Sequence, residues 1–298
     1  MRLKDWQPHP IADPRADGLR VAVVGGTGGL GRTLARWLAA RGAEVTVVGQ
    51  TFRDAGVARL SFVPADLSLM SEARRVADAL PAEQLDMLVF TTGIFSAARR
   101  ETTADGIERD LATSYLNRFV MLRALAPRLG TGRAAAAHPV RVFVMAYPGT
   151  GQAGDPDDLN SERTYRQFAA HMNTVAGNEA LVLHAARAYP RLRVFGLNPG
   201  LVRTNIRANA LGGSDTLRFK IVEATIGLFM PSAEKYIERV GPVILAPDLD
   251  GKSGVHFDAK GVAIAPSAVM TDEHVQRLIA ASEDLLEKKR PDPASQRP

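Results

Sequence analysis

The stretch LRVAVVGGTGGLGRTLARWLAARGA (19–43) decides the fold. An apolar, β-branched run leads into a cluster of glycines. Behind the cluster, apolar residues recur at Leu30, Leu34, Trp37 and Leu38, the spacing of one helix face, until Gly42 ends the segment. A strand that passes through a glycine turn straight into a helix is the opening unit of a sheet built by strand–helix alternation.

The alternation continues outward from there. EVTVVGQ (44–50) and RLSFVPA (59–65) read as strands, SEARRVADAL (71–80) as a helix, and LDMLVFTTG (85–93) as a strand. A long helix is expected from about Gly106 to Leu129, then the strand VRVFVMAY (140–147), a helix from about Thr164 to Ala188, and the strand LRVFGLNPG (192–200). Right-handed crossovers between such units give an α/β fold, a single doubly wound parallel sheet covered by helices on both faces. The first 17 residues and the tail 289–298 read as loose ends around one domain spanning 18–288. Between 201 and 240 the pattern loosens into a partly apolar excursion that includes Ile221, Val222, Ile226, Leu228 and Phe229. It lies beyond the last main strand, where such sheets bind ligands, and is expected to wall a pocket for a partly apolar small molecule.

Composition narrows the function. At 298 residues, with 46% hydrophobic and 23% charged residues, the chain suits one large globular domain. It has no cysteine, which excludes disulfides, thiolate metal sites and a cysteine nucleophile, and no metal site is expected. The net charge of +5 comes from arginines scattered along the chain rather than gathered in a tract, so no nucleic-acid partner is expected. The longest mostly apolar run, 221–230, is too short to span a membrane, and the N-terminus lacks a signal-peptide core. A cytoplasmic protein is expected.

The glycine spacing Gly25-x3-Gly29-x-Gly31 permits a tight turn and close approach of backbone N–H groups to a pyrophosphate at a helix N-terminus. With this context, the chain resembles the short-chain dehydrogenase/reductase family and its retinol-dehydrogenase-like branch, over about residues 18–288, a Rossmann-type fold. The motifs behind the resemblance are the glycine turn, Ala65-Asp66-Leu67, TTADGIE (102–108), DDLNSER (157–163), PGLVRT (199–204) and SGVHFD (253–258). It implies a dinucleotide held by Gly25, Thr27, Gly28, Gly29, Leu30 and Gly31 at the pyrophosphate, and by Asp66 and Leu67 at the adenine. Thr91, Thr92 and Gly93 stand where the family has Asn-Ala-Gly, and Pro199, Gly200, Val202 and Thr204 would hold the nicotinamide. It also implies a homodimer or homotetramer. Strand two ends in Gln50 with Arg53 nearby, and no carboxylate precedes Asp54. An acidic residue there would bind the ribose of NAD and repel the 2′-phosphate, so NADP(H) is favoured over NAD(H).

The resemblance also locates the chemistry, and there the chain departs from it. The family's Tyr-x3-Lys falls on His171 and Val175 in AHMNTVAGN (170–178), its Ser on Ala146-Tyr147, and its central-helix Asn on Ser114, with Asn117 a turn later. No tyrosine has a lysine four residues on, and no lysine occurs between Lys4 and Lys220. Hydride addition to a carbonyl makes an alkoxide that must be protonated. His171, Tyr147 and Ser114 are therefore the catalytic candidates, with Tyr165 as a further proton donor. Three readings follow. The first is hydride transfer with other acid chemistry, as to an iminium or a conjugated C=C. The second is non-redox cyclase, dehydratase or isomerase chemistry on the same fold. The third is a dinucleotide-binding pseudoenzyme.

Overall fold

A computed structural model describes residues 1–134, 138–202 and 231–289. Eight strands form one sheet in the order β3-β2-β1-β4-β5-β6-β7-β8. They are β1 (Arg20–Val24), β2 (Glu44–Gly49), β3 (Leu60–Pro64), β4 (Met87–Phe90), β5 (Arg141–Met145), β6 (Arg193–Leu197), β7 (Val255–Phe257) and β8 (Ala263–Ile264). β1 to β7 pair in parallel, and the short β8 turns back antiparallel to β7. The sheet is thus mixed at one edge, where the sequence pattern predicts parallel strands only. An antiparallel edge strand needs no crossover helix, and its two residues give too little alternation to be seen in the sequence.

Alternation along the strands divides the core. Val21, Val23, Val45, Val47, Phe143 and Phe195 face α1 (Gly29–Ala39) and the later α6 (Ala233–Ile244). Ala22, Val24, Leu88, Phe90, Val142 and Val144 face the other layer. That layer holds α2 (Met70–Ala79), a continuous central rod, α5 (Gln167–Ala188) and α7 (Asp272–Lys288). The rod is α3 (Arg109–Leu111), a π-helical turn (Ala112–Leu116) and α4 (Asn117–Leu125). A π turn leaves carbonyls without their usual helical donors. Here the Asn117 amide serves the carbonyls of Ala112, at 2.9 Å, and Thr113, while Asn178 of α5 donates to the Ser114 carbonyl at 2.8 Å.

Register aligns the strand ends, with Val24 beside Phe90, Phe90 beside Val144 and Val144 beside Gly196. The loops that follow β1, β4, β5 and β6 therefore open on one edge, around the point between β1 and β4 where strand order reverses. Ligands bind at that point in such sheets.

The first 17 residues, expected to be loose, are docked. Leu3 N–H donates to the Ala263 carbonyl at 2.9 Å and Ala265 N–H to the Met1 carbonyl at 2.8 Å, which adds a short pairing beyond β8. Trp6 packs edge-on against Phe257, and Ala16 is buried. Pro and Asp residues hid this contact, because no periodic pattern survives among them. The tail 290–298 and most of the 201–240 excursion, including Thr204 and the apolar residues 221–229, lie outside the described residues. No helix among the described residues is long and apolar enough to cross a membrane.

α5 approaches the rod closely because Gly177 has no side chain. A Cβ there would sit 2.7 Å from the Tyr115 ring, which is fully buried and hydrogen-bonded through its hydroxyl to Ser282. Gly177→Ala is expected to destabilise the fold by about 1–3 kcal/mol despite alanine's better helix propensity, as read by thermal or urea unfolding.

Candidate active site

The glycine turn is shaped by contact. Gly25 has φ 89°, and a Cβ on it would meet Thr92 N at 2.5 Å. A Cβ on Gly31 would meet the Thr91 hydroxyl at 2.3 Å and the Gly25 carbonyl at 2.5 Å. Thr91 closes the joint by donating both its N–H, at 2.7 Å, and its hydroxyl, at 2.9 Å, to the Val24 carbonyl. Gly28 precedes α1 in extended conformation with no side-chain cap, and the space around it is open. The first N–H groups of α1 therefore face an open cradle, with Thr27 and Leu30 beside it. These residues fit a pyrophosphate.

At the position expected to meet adenine, Asp66 accepts from the Ser68 hydroxyl at 2.7 Å and the Ser68 N–H at 3.0 Å, and Leu67 lends its carbonyl to Asn117. Against the cost of desolvation, Ser68 and the Gln50 side chain hold the Asp66 carboxyl below its usual range. Asp54 is 4% exposed and clasped by Arg32 at 2.7 and 2.8 Å and by Arg36 at 2.7 Å. Arg32 above all, then Arg36, hold its carboxyl at about 2 against desolvation. Asp54 faces its arginines, not a ribose. Arg53 is exposed, donates to the Thr27 carbonyl at 2.9 Å, and has no carboxylate partner among the described residues.

Beyond β6, Gly200 adopts φ 65° and its N–H donates to the Asn198 side chain at 2.9 Å, while Val202 is buried. Pro199 and Gly200 thus shape the turn expected at the nicotinamide end.

The acid position holds a constellation that the sequence pattern did not show. His171 Nδ1 lies 2.7 Å from Asp110 Oδ2, on the first turn of the central rod. Asp110 is wholly buried and also accepts from the hydroxyls of Ser96 at 2.7 Å and Ser114 at 2.5 Å. With the Asp110 oxygens filled by three donors, the carboxylate has a fixed orientation. The Phe95 ring stacks on the imidazole at 4.0 Å, and the His171 side chain keeps 15% of its surface open. Nε2 has no hydrogen-bond partner among the described residues.

The other candidates fall into place around this pair. Ser114 also accepts from the Ile94 N–H at 3.1 Å, so it braces the carboxylate and the loop after β4 instead of orienting a substrate. Tyr165 donates its hydroxyl to the Ala97 carbonyl at 2.5 Å, and burial pushes it up to about 12. Tyr147 is 38% exposed at the end of β5, away from the Asp110 cluster's hydrogen bonds. Val175 is buried and inert.

Under the cluster lies a buried cation. Arg118, 2% exposed, donates to the Met145 carbonyl and the Asn178 side-chain oxygen, both at 2.8 Å, and to the Thr92 carbonyl. Burial pulls its guanidinium down to about 9, and the charge of Asp110 acts the other way. Asp110 and Arg118 were missed because on that helix only the position of the family's Asn, at Ser114 and Asn117, was read for chemistry. One signal was available: a histidine offered as a proton donor calls for a carboxylate, and Asp110 stands four residues before Ser114 on the same helix face.

Residues 20–142 match the short chain dehydrogenase profile. Over 287 residues the chain is 47% identical to an uncharacterized oxidoreductase of Saccharomyces cerevisiae, YKL107W, covering 95% of this chain and 93% of that one. The chain belongs to the short-chain dehydrogenase/reductase family. Within the family it is also 28% identical to mouse polyprenol dehydrogenase, over 93% of this chain and 85% of that one. The fold matches Thermoplasma acidophilum aldohexose dehydrogenase with a TM-score of 0.61 at 16% identity, over 82% of this chain and 94% of that one. It also matches a Shigella flexneri protein solved with NADP, with a TM-score of 0.59 at 18% identity, over 82% and 97%. The short-chain dehydrogenase/reductase fold binds a nicotinamide dinucleotide, and the cradle described above has the shape that this requires.

One neighbour of the dyad gives a pH signature. Glu108, 2% exposed, is pushed up to about 7 by desolvation, with the Leu111 N–H it caps acting against the rise and the Asp110 charge adding to it. Between pH 4.5 and 7 the unfolded carboxyl ionises while the folded one keeps its proton. The unfolded chain then binds fewer protons, and stability falls as pH rises. At about 1.4 kcal/mol per pH unit the loss is about 3 kcal/mol. Glu108→Gln, which keeps an acceptor for Leu111, is expected to flatten that slope in urea unfolding followed from pH 4.5 to 7.5.

Proposed function

We propose that this protein is an NADP(H)-dependent oxidoreductase acting on a carbonyl–alcohol pair, with His171 as the acid/base and Asp110 as the group that orients it. The observation that carries this reading is the 2.7 Å contact between His171 Nδ1 and the buried Asp110 carboxylate, which leaves Nε2 as the working nitrogen.

The exchange of Tyr and Lys for His and Val follows a charge logic. A tyrosine acid cycles between neutral and anionic, so a neighbouring cation helps it give up its proton. A histidine cycles between cationic and neutral and titrates near pH ~6.5 unaided, so it needs an anion to hold its protonated form and its tautomer. Asp110 is that anion, and a lysine at 175 would oppose the imidazolium. Val175 is consistent with the new acid rather than a sign of lost chemistry.

Gly25 to Gly31 would hold the pyrophosphate, Asp66 and Leu67 the adenine, and Pro199 and Gly200 the nicotinamide end. When bound, the dinucleotide supplies or accepts the hydride. In the reducing direction, His171 Nε2–H donates its proton to the oxygen on which negative charge develops, and Asp110 stabilises the imidazolium until that moment. The open part of the imidazole surface then lets it regain a proton from solvent. Ser96 and Ser114 keep the carboxylate from turning. With a donor in place, an ordinary carbonyl suffices, and the substrate need not be an iminium. The exposed side chains of Tyr147, Phe168 and Leu201 support a partly apolar substrate. Arg53, without a carboxylate partner among the described residues, and Asp54, neutralised by its own arginines, support the 2′-phosphate form of the cofactor.

Calorimetric titration separates the parts. NADPH is expected to bind at least tenfold more tightly than NADH, and Arg53→Ala to reduce that preference without weakening NADH. Failure of both dinucleotides to bind would overturn the reading. In a screen of apolar ketones and aldehydes, His171→Ala is expected to lower kcat by about 10²–10⁴ with NADPH affinity kept. Asp110→Asn is expected to lower kcat by a comparable factor through the wrong tautomer. Full turnover in His171→Ala would remove His171 from the mechanism.

A further inference from the structure

A buried guanidinium is costly unless its donors are satisfied and its charge is balanced. Arg118 meets the first condition with four acceptors from three different places: the Thr92 carbonyl and hydroxyl after β4, the Met145 carbonyl ending β5, and the Asn178 side chain on α5. None of these is an anion. Asn178 passes the tie onward, since its amide donates to the Ser114 carbonyl at 2.8 Å and the Thr174 carbonyl at 2.7 Å. Those residues flank His171 on α5 and the π turn of the rod. Asp110 has the complementary problem: its carboxylate is fully buried and hydrogen-bonded only to two neutral hydroxyls and an imidazole.

We propose that Arg118 is a positioning residue that supplies, from the central helix, the positive charge absent at Val175, balancing the buried Asp110 carboxylate and clamping the ends of β4 and β5 to the helix that carries His171. This rests on the role proposed for the His171–Asp110 pair. The clamp keeps the cation out of contact with His171 while still balancing the buried carboxylate. The other titratable groups that interact with Asp110 are Glu108, at the start of the rod, and Tyr165, ahead of α5. Both are neutral when they hold their protons, and neither can supply a positive charge.

The test is the titration of the His171 imidazole by NMR in the protein alone, assigned by comparison with His171→Gln. It needs no substrate, so a failure of the enzymatic reading and a failure of this one are told apart. Removing a nearby cation raises the proton affinity of the dyad as a whole. Arg118→Met is therefore expected to move the midpoint up by about 1 pH unit. Adding Val175→Lys to Arg118→Met is expected to bring it back down, because the cation returns on the neighbouring helix. Arg118→Lys is expected to leave the midpoint within about 0.3 pH unit of the unsubstituted protein. If Arg118→Met does not fold, Arg118→Gln, which can still donate to one carbonyl, is read in the same way. A midpoint unmoved in a folded neutral variant overturns the proposal. If only Arg118→Lys folds among the three, the charge is required and the proposal stands. If none folds, Arg118 serves the fold through its geometry alone, and the proposal fails.

Discussion

The Asp110 carboxylate is sealed from water, and much of the site is arranged around that fact. A buried carboxylate must be given donors or it will take up a proton. Here the donors are His171, Ser96 and Ser114, from α5, from the loop after β4 and from the central rod itself. One anion therefore fixes three elements relative to one another. Its demand for donors determines the imidazole tautomer, the path of the β4 loop and the side-chain direction of Ser114. The same side chains that look like a catalytic group and its helpers are also a hydrogen-bond solution to a burial problem.

The cofactor end rests on a different constraint, the absence of side-chain volume. Gly25 and Gly31 let the loop after β4 press against the turn after β1 at distances that no Cβ would allow. Thr91, in the place of the family's usual Asn, adds a second bond to the Val24 carbonyl through its hydroxyl. The two ends of the site meet at Thr92: its N–H lies against Gly25, and its carbonyl is held by Arg118. A shift of the central rod would therefore be felt at the glycine turn. This gives the π turn a physical role, since Asn117, within one rod, reaches the carbonyls that the turn frees and also the Leu67 carbonyl beside the adenine-end Asp66.

The strand–helix alternation and the covering of the sheet on both faces were legible in the sequence because each strand and helix states its own period. β1 and α1 are visible within 19–43, and the central rod within 106–129. The antiparallel β8 and the docked N-terminus were not, because two-residue pairings and aperiodic Pro-rich segments carry no period to read. At the site, the position of His171 followed from the resemblance of AHMNTVAGN to the family's acid-bearing run, but its partner did not. Asp110 is 61 residues away in sequence, and a helix start rich in acidic residues normally reads as capping. Glu108, two residues earlier, does cap. Arg118 was hidden for a similar reason: a charged residue on a helix is read as solvated, and only the burial of all its donors shows otherwise.

The direction of change at the acid position is informative about what selection on charge can reach. Replacing tyrosine by histidine moves the charged form from the deprotonated to the protonated state and changes its sign, so the neighbouring charge that suits it must change sign as well. The cation that suits a phenolate becomes unfavourable beside an imidazolium, and an anion becomes necessary. Val175 withholds the cation and Asp110 supplies the anion. An isolated buried anion would in turn be unstable, which calls for a cation near the carboxylate but out of contact with the imidazole. Arg118, buried and bonded only to neutral acceptors, satisfies that condition. In the proposed mechanism Val175, Asp110 and Arg118 form one electrostatic set around His171, in which each makes the next necessary.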